Sequence, residues 1–234
     1  MLTINGFSKS YGSKPAVENL SLEIRPGEIF GFIGHNGAGK TTTIKAVCGI
    51  LNFEEGEILI NDCDVRKDPL GCKRQIAYIP DNPDIYEFMS GIKFLNFIAD
   101  AFRLSAGERA DRIGKYAEIF GLTADLGQPV GTYSHGMKQK LALISALMHN
   151  PRLMVLDEPF VGLDPKAGHS LKQIMRELCD GGGAIFFSTH ILEVAEKLCD
   201  RIGIIKNGKL IACGDTGEIC RDSSLERIFL ELTD

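Results

Sequence analysis

Gly34-His35-Asn36-Gly37-Ala38-Gly39-Lys40-Thr41 fits the spacing G-x-x-x-x-G-K-[ST] of a loop that cradles nucleotide phosphates. The apolar run Ile29-Phe30-Gly31-Phe32-Ile33 precedes it and reads as a buried parallel strand. Thr41-Thr42-Thr43-Ile44-Lys45-Ala46-Val47 follows and reads as a helix. Strand, glycine loop and helix form the context the motif requires, which tells against an incidental glycine-rich turn. Gly34, Gly37 and Gly39 let the backbone turn sharply, so the amides of His35, Asn36, Ala38 and Thr42 can approach an anion at a helix N-terminus. Lys40 is predicted to reach the β- and γ-phosphates, and the Thr41 hydroxyl to ligate Mg²⁺.

Working outward, Leu2–Phe7 and Val17–Ile24 alternate apolar and polar residues as half-buried strands do, with Ser10-Tyr11-Gly12-Ser13-Lys14-Pro15 as turn chemistry between them. Glu57–Ile60 and Gln75–Ile79 read as further strands, the first followed by an Asn61-Asp62 turn and the second stopped by Pro80. From about Ile85 to Asn150 the pattern turns helical. Phe88, Ile92, Leu95 and Ala99 follow the helical repeat, widened by Phe94, Ile98 and Phe102, and the stripe reads as core. Arg109–Phe120 and Gly136–His149 are two more predicted helices. Leu153–Leu156 and Ala184–Ser188 are near-continuous apolar strands, and Lys166–Cys179 and Ile191–Cys199 are helices. Arg201–Ile205 and Lys209–Cys213 flank Asn207-Gly208, a strong hairpin signal. Ser223 with Glu226 fits a capping box for a short final helix docked by Leu225, Ile228 and Phe229.

The chain of 234 residues suits one large α/β domain with a subdomain. No apolar run reaches the ~20 residues of a membrane helix, and the start Met1–Gly6 has no secretory pattern. The net charge of −5 argues against nucleic acid as a partner. Seven scattered cysteines, none in a C-x-x-C pair, read as reduced thiols and imply a cytoplasmic address.

Two acids, Asp157 and Glu158, end the strand Leu153–Leu156. Ligands of open α/β sheets bind outside the carboxyl ends of strands. Asp157 is therefore placed to hold Mg²⁺ opposite Thr41, and Glu158 to polarise an attacking water as general base. His190 ends the next strand at the same edge. Its imidazole could serve a γ-phosphate, or simply cap a helix or fill the core.

With these residues in order, the chain resembles the nucleotide-binding subunits of ABC transporters over essentially its whole length. Tyr133-Ser134-His135-Gly136-Met137-Lys138-Gln139-Lys140 is similar to the family signature, Gly162-Leu163-Asp164 to its D-loop and Thr189-His190 to its switch histidine. The resemblance implies an ATPase with a P-loop NTPase core, an N-terminal antiparallel β subdomain and an inserted helical subdomain. Residues 1–84 and 151–220 would form the core with its β subdomain, 85–150 the helical subdomain and 221–234 a short C-terminal helix. It implies that Ser134 and the amides near Gly136 bind the γ-phosphate of a nucleotide held by a second copy or a homologous ATPase subunit. Tyr11 would stack on adenine, Asp164 of the D-loop would be among the nucleotide-binding residues, and His190 would be catalytic with Glu158. Transmembrane permease subunits are the further partners implied, with this chain peripheral on the cytoplasmic face of the cell membrane.

Two departures matter. His135 and Met137 replace the commonest glycine and glutamine, a form similar to a branch that pairs with separate membrane subunits, often in export. Asp81 replaces the glutamine usual after the strand that ends Tyr78-Ile79-Pro80; it either serves the metal or faces the membrane partner or solvent. The function implied is ATP hydrolysis driving translocation, with export favoured by the signature form. The alternative is a non-transport ATPase of the same family acting as a conformational switch.

Overall fold

A computed structural model describes residues 1–221 and 223–233. Two sheets share one core. The first has four antiparallel strands in the order β2-β1-β4-β5: β1 Leu2–Tyr11, β2 Lys14–Ile24, β4 Glu55–Ile60 and β5 Cys63–Asp64. The second has six strands in the order β10-β9-β3-β8-β7-β6. In it β3 Ile29–Ile33, β6 Ile76–Ile79, β7 Leu153–Asp157, β8 Ala184–Thr189 and β9 Arg201–Lys206 run parallel, and β10 Lys209–Asp215 is antiparallel at the edge.

The strands of the second sheet are apolar on both sides because both faces are covered. Alternate residues feed two clusters. Phe30, Phe32, Val155, Phe186 and Ile205 face the first sheet, with helix α1 Lys40–Val47 between through Ile44, Ala46 and Val47. Phe186 meets Phe30 and Phe32 there, at ring-centroid distances of 6.1 and 5.5 Å. Ile29, Ile33, Met154, Leu156, Ile185 and Phe187 face the opposite way, onto helices. Burial of each such side chain stabilises the fold by about 1.5–3 kcal/mol. The short helix α2 Pro69–Lys73 joins β5 to β6.

Between β6 and β7 the chain forms α3 Gly91–Ala101, α4 Ala106–Ile119 and α5 His135–Leu147, with one tight 3₁₀ turn at Val130–Thr132. Helices α6 Pro165–Asp180 and α7 Leu192–Leu198 follow β7 and β8. After β10 come α8 Thr216–Ile219 and α9 Leu225–Thr233. Among the described residues no helix is long and apolar enough to cross a membrane, and the seven cysteines are free thiols.

Four expectations need correction. The first hairpin turns only at Gly12-Ser13, so Tyr11 lies in β1 rather than in a loop. Phe88 is no part of the helical core: it precedes Ser90, where α3 is capped, and is 84% exposed. Helix α4 begins before Arg109 because Ser105 and Glu108 form a reciprocal capping box. The final helix is capped one residue later than expected, by Ser224, whose Oγ accepts from Arg227 N. The expected C-terminal segment also includes Asp222 and Asp234, which lie outside the described residues.

Candidate functional site

The chain leaves β3 at Ile33 and folds back over the N-terminus of α1. Two glycines decide its path. A Cβ at Gly34 would lie 2.5 Å from the Ile205 carbonyl oxygen. Gly39 caps α1 at φ +111°, and a Cβ there would lie 2.7 Å from Ala16 O. Ala38 is buried beneath the loop, and its carbonyl accepts from Gly208 N at the β9–β10 turn. His35, Asn36, Gly37, Gly39, Lys40, Thr41 and Thr42 line a cleft of about 190 Å³ together with Ala16, Asp81, Asp157 and Glu158. The first amides of α1 have no partner inside the helix, so this rim presents positive dipole to an anion.

Lys40 is buried, with Nζ donating to Gly34 O at 2.6 Å and His35 O at 3.3 Å. Burial pushes its ammonium below the usual lysine range, while Glu158 and Asp157 nearby pull the other way. Thr41 Oγ1 donates to Asp157 Oδ2 at 2.7 Å. Asp157 Oδ1 accepts from Ser188 Oγ at 2.5 Å, across the β7–β8 register that sets the two side by side.

Glu158 leaves β7 with φ +50°, a left-handed conformation uncommon outside glycine. Its N–H donates to Ser188 O and Oγ, both at 3.2 Å. The turn aims its carboxylate inward. Oε2 lies 2.9 Å from His190 Nδ1 and accepts from His190 N at 3.3 Å. Oε1 is buried 3.8 Å from Lys40 Nζ and has no hydrogen-bond partner. A buried carboxylate oxygen left open in a cleft can receive a hydrogen bond from a water or ligand.

Thr41 hydroxyl, Asp157 carboxylate and Asp81 carboxylate are hard oxygen donors around one cleft. Among the described residues no cluster of His, Cys, Asp or Glu would cage an ion alone. This donor set suits Mg²⁺, which takes one or two carboxylates and shares the ligand's phosphates.

The other candidates lie elsewhere. Tyr11, Ser134, Gly136 and Asp164 do not line this cleft. Tyr11 is 53% exposed on β1. Ser134 caps α5, its Oγ accepting from Met137 N, and is exposed. A Cβ at Gly136 would lie 2.6 Å from Gly162 O, so α5 and the 162–164 loop are in direct contact. Asp164 caps α6 and pairs with Lys140 at 2.5 Å, which holds its carboxyl below the usual range. Ser188 was not singled out by sequence; a polar residue in an apolar strand was its signal, and its register with Asp157 comes from the structure.

The family model for the ABC transporter matches residues 17–161. The chain is 35% identical over 238 residues to the ABC-type transporter ATP-binding protein EcsA of Bacillus subtilis, covering 100% of this chain and 96% of the relative. It is 34% identical to the linearmycin resistance ATP-binding protein LnrL of Bacillus subtilis, over 94% of this chain and 71% of the relative. The solved ATP-binding subunit of an ABC transporter matches with a TM-score of 0.95 and 36% identity, over 100% of both chains. The likeness in sequence and fold thus runs along the full chain, and this chain belongs to the ABC transporter family, as one of its ATP-binding, ATP-hydrolysing subunits.

Proposed function

We propose that this subunit hydrolyses ATP in a sandwich dimer and drives substrate translocation, in the direction of export, through separate membrane subunits. The observation that carries the reading is a divided site. The cleft gathers Lys40, Thr41, Asp157 and Glu158, while the exposed cap Ser134 stands outside it on α5. A second copy laid head to tail would bring its Ser134 and α5 amides to the γ-phosphate.

In this mechanism the amides from His35 to Thr42 and the Lys40 ammonium hold the β- and γ-phosphates. Thr41 and Asp157 would hold Mg²⁺, with Asp81 beside them, and the ion would supply positive charge to the phosphates. Glu158 takes a proton from the water that attacks the γ-phosphorus; the bond from that phosphorus to the bridging oxygen breaks, the oxygen stays with ADP, and inorganic phosphate is released. His190 fixes the Glu158 carboxylate and donates toward the γ-phosphate. Tyr11 stacks on adenine, a contact worth about 1–3 kcal/mol. Asp164, tied to Lys140, holds the dimer loop against α5.

The membrane partner fits at Tyr86, Phe88 and Phe97. These exposed rings form a continuous aromatic patch, with centroids 5.8 and 6.2 Å apart, on the segment that follows Asp81. Export is supported by the Ser134-His135-Gly136-Met137 form and by likeness to a relative named for resistance.

Glu158→Gln tests the chemistry and the dimer together. Turnover is expected to fall at least ~100-fold, with ATP still bound and the protein eluting as a dimer in ATP and Mg²⁺. A monomer with wild-type turnover overturns the reading. Lys40→Ala is expected to lose both binding and turnover.

A further inference from the structure

Helix α9 touches the nucleotide cleft. Its Phe229 is 6% exposed and packs on the His35 ring, with centroids 4.8 Å apart at 59°. His35 is a loop residue that lines the cleft, and its carbonyl accepts from Lys40 Nζ. At its other end α9 is tied to α7, the helix that follows His190. Leu225 is fully buried, and its N–H donates to Glu196 Oε2 at 3.0 Å. Lys206 of β9 donates to Leu232 O at 3.5 Å, a third and weaker tie.

We infer that α9 is a strap across the nucleotide site, in which Phe229 is a positioning residue that holds His35 and sets the first turn of the phosphate loop. The His35 side chain is itself exposed, so one ring contact supplies much of what restrains it. A loop held in its binding shape avoids the ordering cost when phosphate arrives. Without the contact, His35 and its carbonyl sample other positions, and Lys40 loses one of its two fixed acceptors. The strap thus acts on nucleotide affinity rather than on the Glu158 chemistry. The inference rests on the phosphate-loop cleft being the ATP site.

Phe229→Ala is expected to raise the ATP KM and the ATP Kd measured by calorimetry about three- to tenfold, the factor set by an aromatic contact of this kind. The kcat should stay within about twofold. His35→Ala should raise KM similarly, and the double variant no further, since both remove one contact. Leu230→Ala, exposed on the same helix, should match wild type. Phe229→Leu keeps the apolar anchor without the ring and covers the case in which Phe229→Ala does not fold. Wild-type KM in Phe229→Leu, additive effects in the double variant, or a fall in kcat with KM unchanged each overturn the inference. Failure of the wild-type protein to bind ATP, or wild-type affinity in Lys40→Ala, would instead sink the site reading itself.

Discussion

Asp81 puts a negative charge at the mouth of a cleft that is otherwise built for phosphate. It lines that cleft with Thr41 and Asp157, so the two readings left open by the sequence are no longer equal in support. A carboxylate at this place is useful to a hard cation. Asp81→Ala is expected to lower basal turnover and to raise the Mg²⁺ needed for half-maximal rate by about tenfold, the scale of a lost supporting carboxylate. Turnover measured against Mg²⁺ checks it, and superimposable curves would rule out the metal role. At this scale much of the site was legible, because Asp157 and Glu158 close an apolar strand and Lys40 and Thr41 open the helix behind a glycine loop that another apolar strand feeds. Ser188 was not, since its meaning depends on the β7–β8 register, which no local pattern states. The left-handed turn at Glu158 was equally hidden, because the residue type gives no warning of it.

Helix ends were less legible than helix middles. The repeat that carries Leu95 and Ala99 was extended one turn too far, to Phe88, across the cap at Ser90. Ser105 and Glu108 carried a capping signal that fixes the start of α4 better than its apolar pattern does. The end of α5 holds a pH-sensitive contact. His149 stacks on Phe102 at 3.7 Å and donates through Nε2 to Ile76 O at 3.0 Å, joining the helices to β6. Burial lowers its pKa, and Arg112 nearby pushes the same way, against the hydrogen bonds. The folded state therefore keeps the ring neutral where the unfolded chain, titrating near ~6.5, already takes a proton. Stability from this group is complete above that value and is lost as pH falls from it toward the folded pKa. Melting temperatures at about pH 7.5 and 5.5 should fall further for wild type than for His149→Gln; equal losses would contradict the assignment.

For the whole molecule, the α/β class followed from strands and helices that alternate along the sequence, and the family from motifs in order. The pairing of the sheets did not follow, since β3 is flanked by strands far away in sequence. Nor did the surface: Phe88 was read as part of an interior stripe, yet it stands outside beside Tyr86 and Phe97. Phe88→Glu is expected to leave basal ATP turnover within about twofold while abolishing co-purification with the membrane subunits from detergent extracts. Retained co-purification would place the partner elsewhere.

The strand order also sets a clock. Strand β3 and the loop after it are among the first parts synthesised, but both neighbours in the sheet, β8 and β9, come more than 150 residues afterwards. At a synthesis rate of roughly 5–20 residues per second, the loop waits on the order of ten to thirty seconds for its supports. Gly34 rests on Ile205, and Ala38 on Gly208, so the wait lasts until the β9–β10 turn has emerged. Nascent chains arrested before Arg201 leaves the ribosome are expected not to be retained on immobilised ATP; retention would mean that the loop forms without β9. A stretch made early in each new chain is thus left without its supports until late in synthesis, and a product cut short before the β9–β10 turn is born unable to hydrolyse ATP.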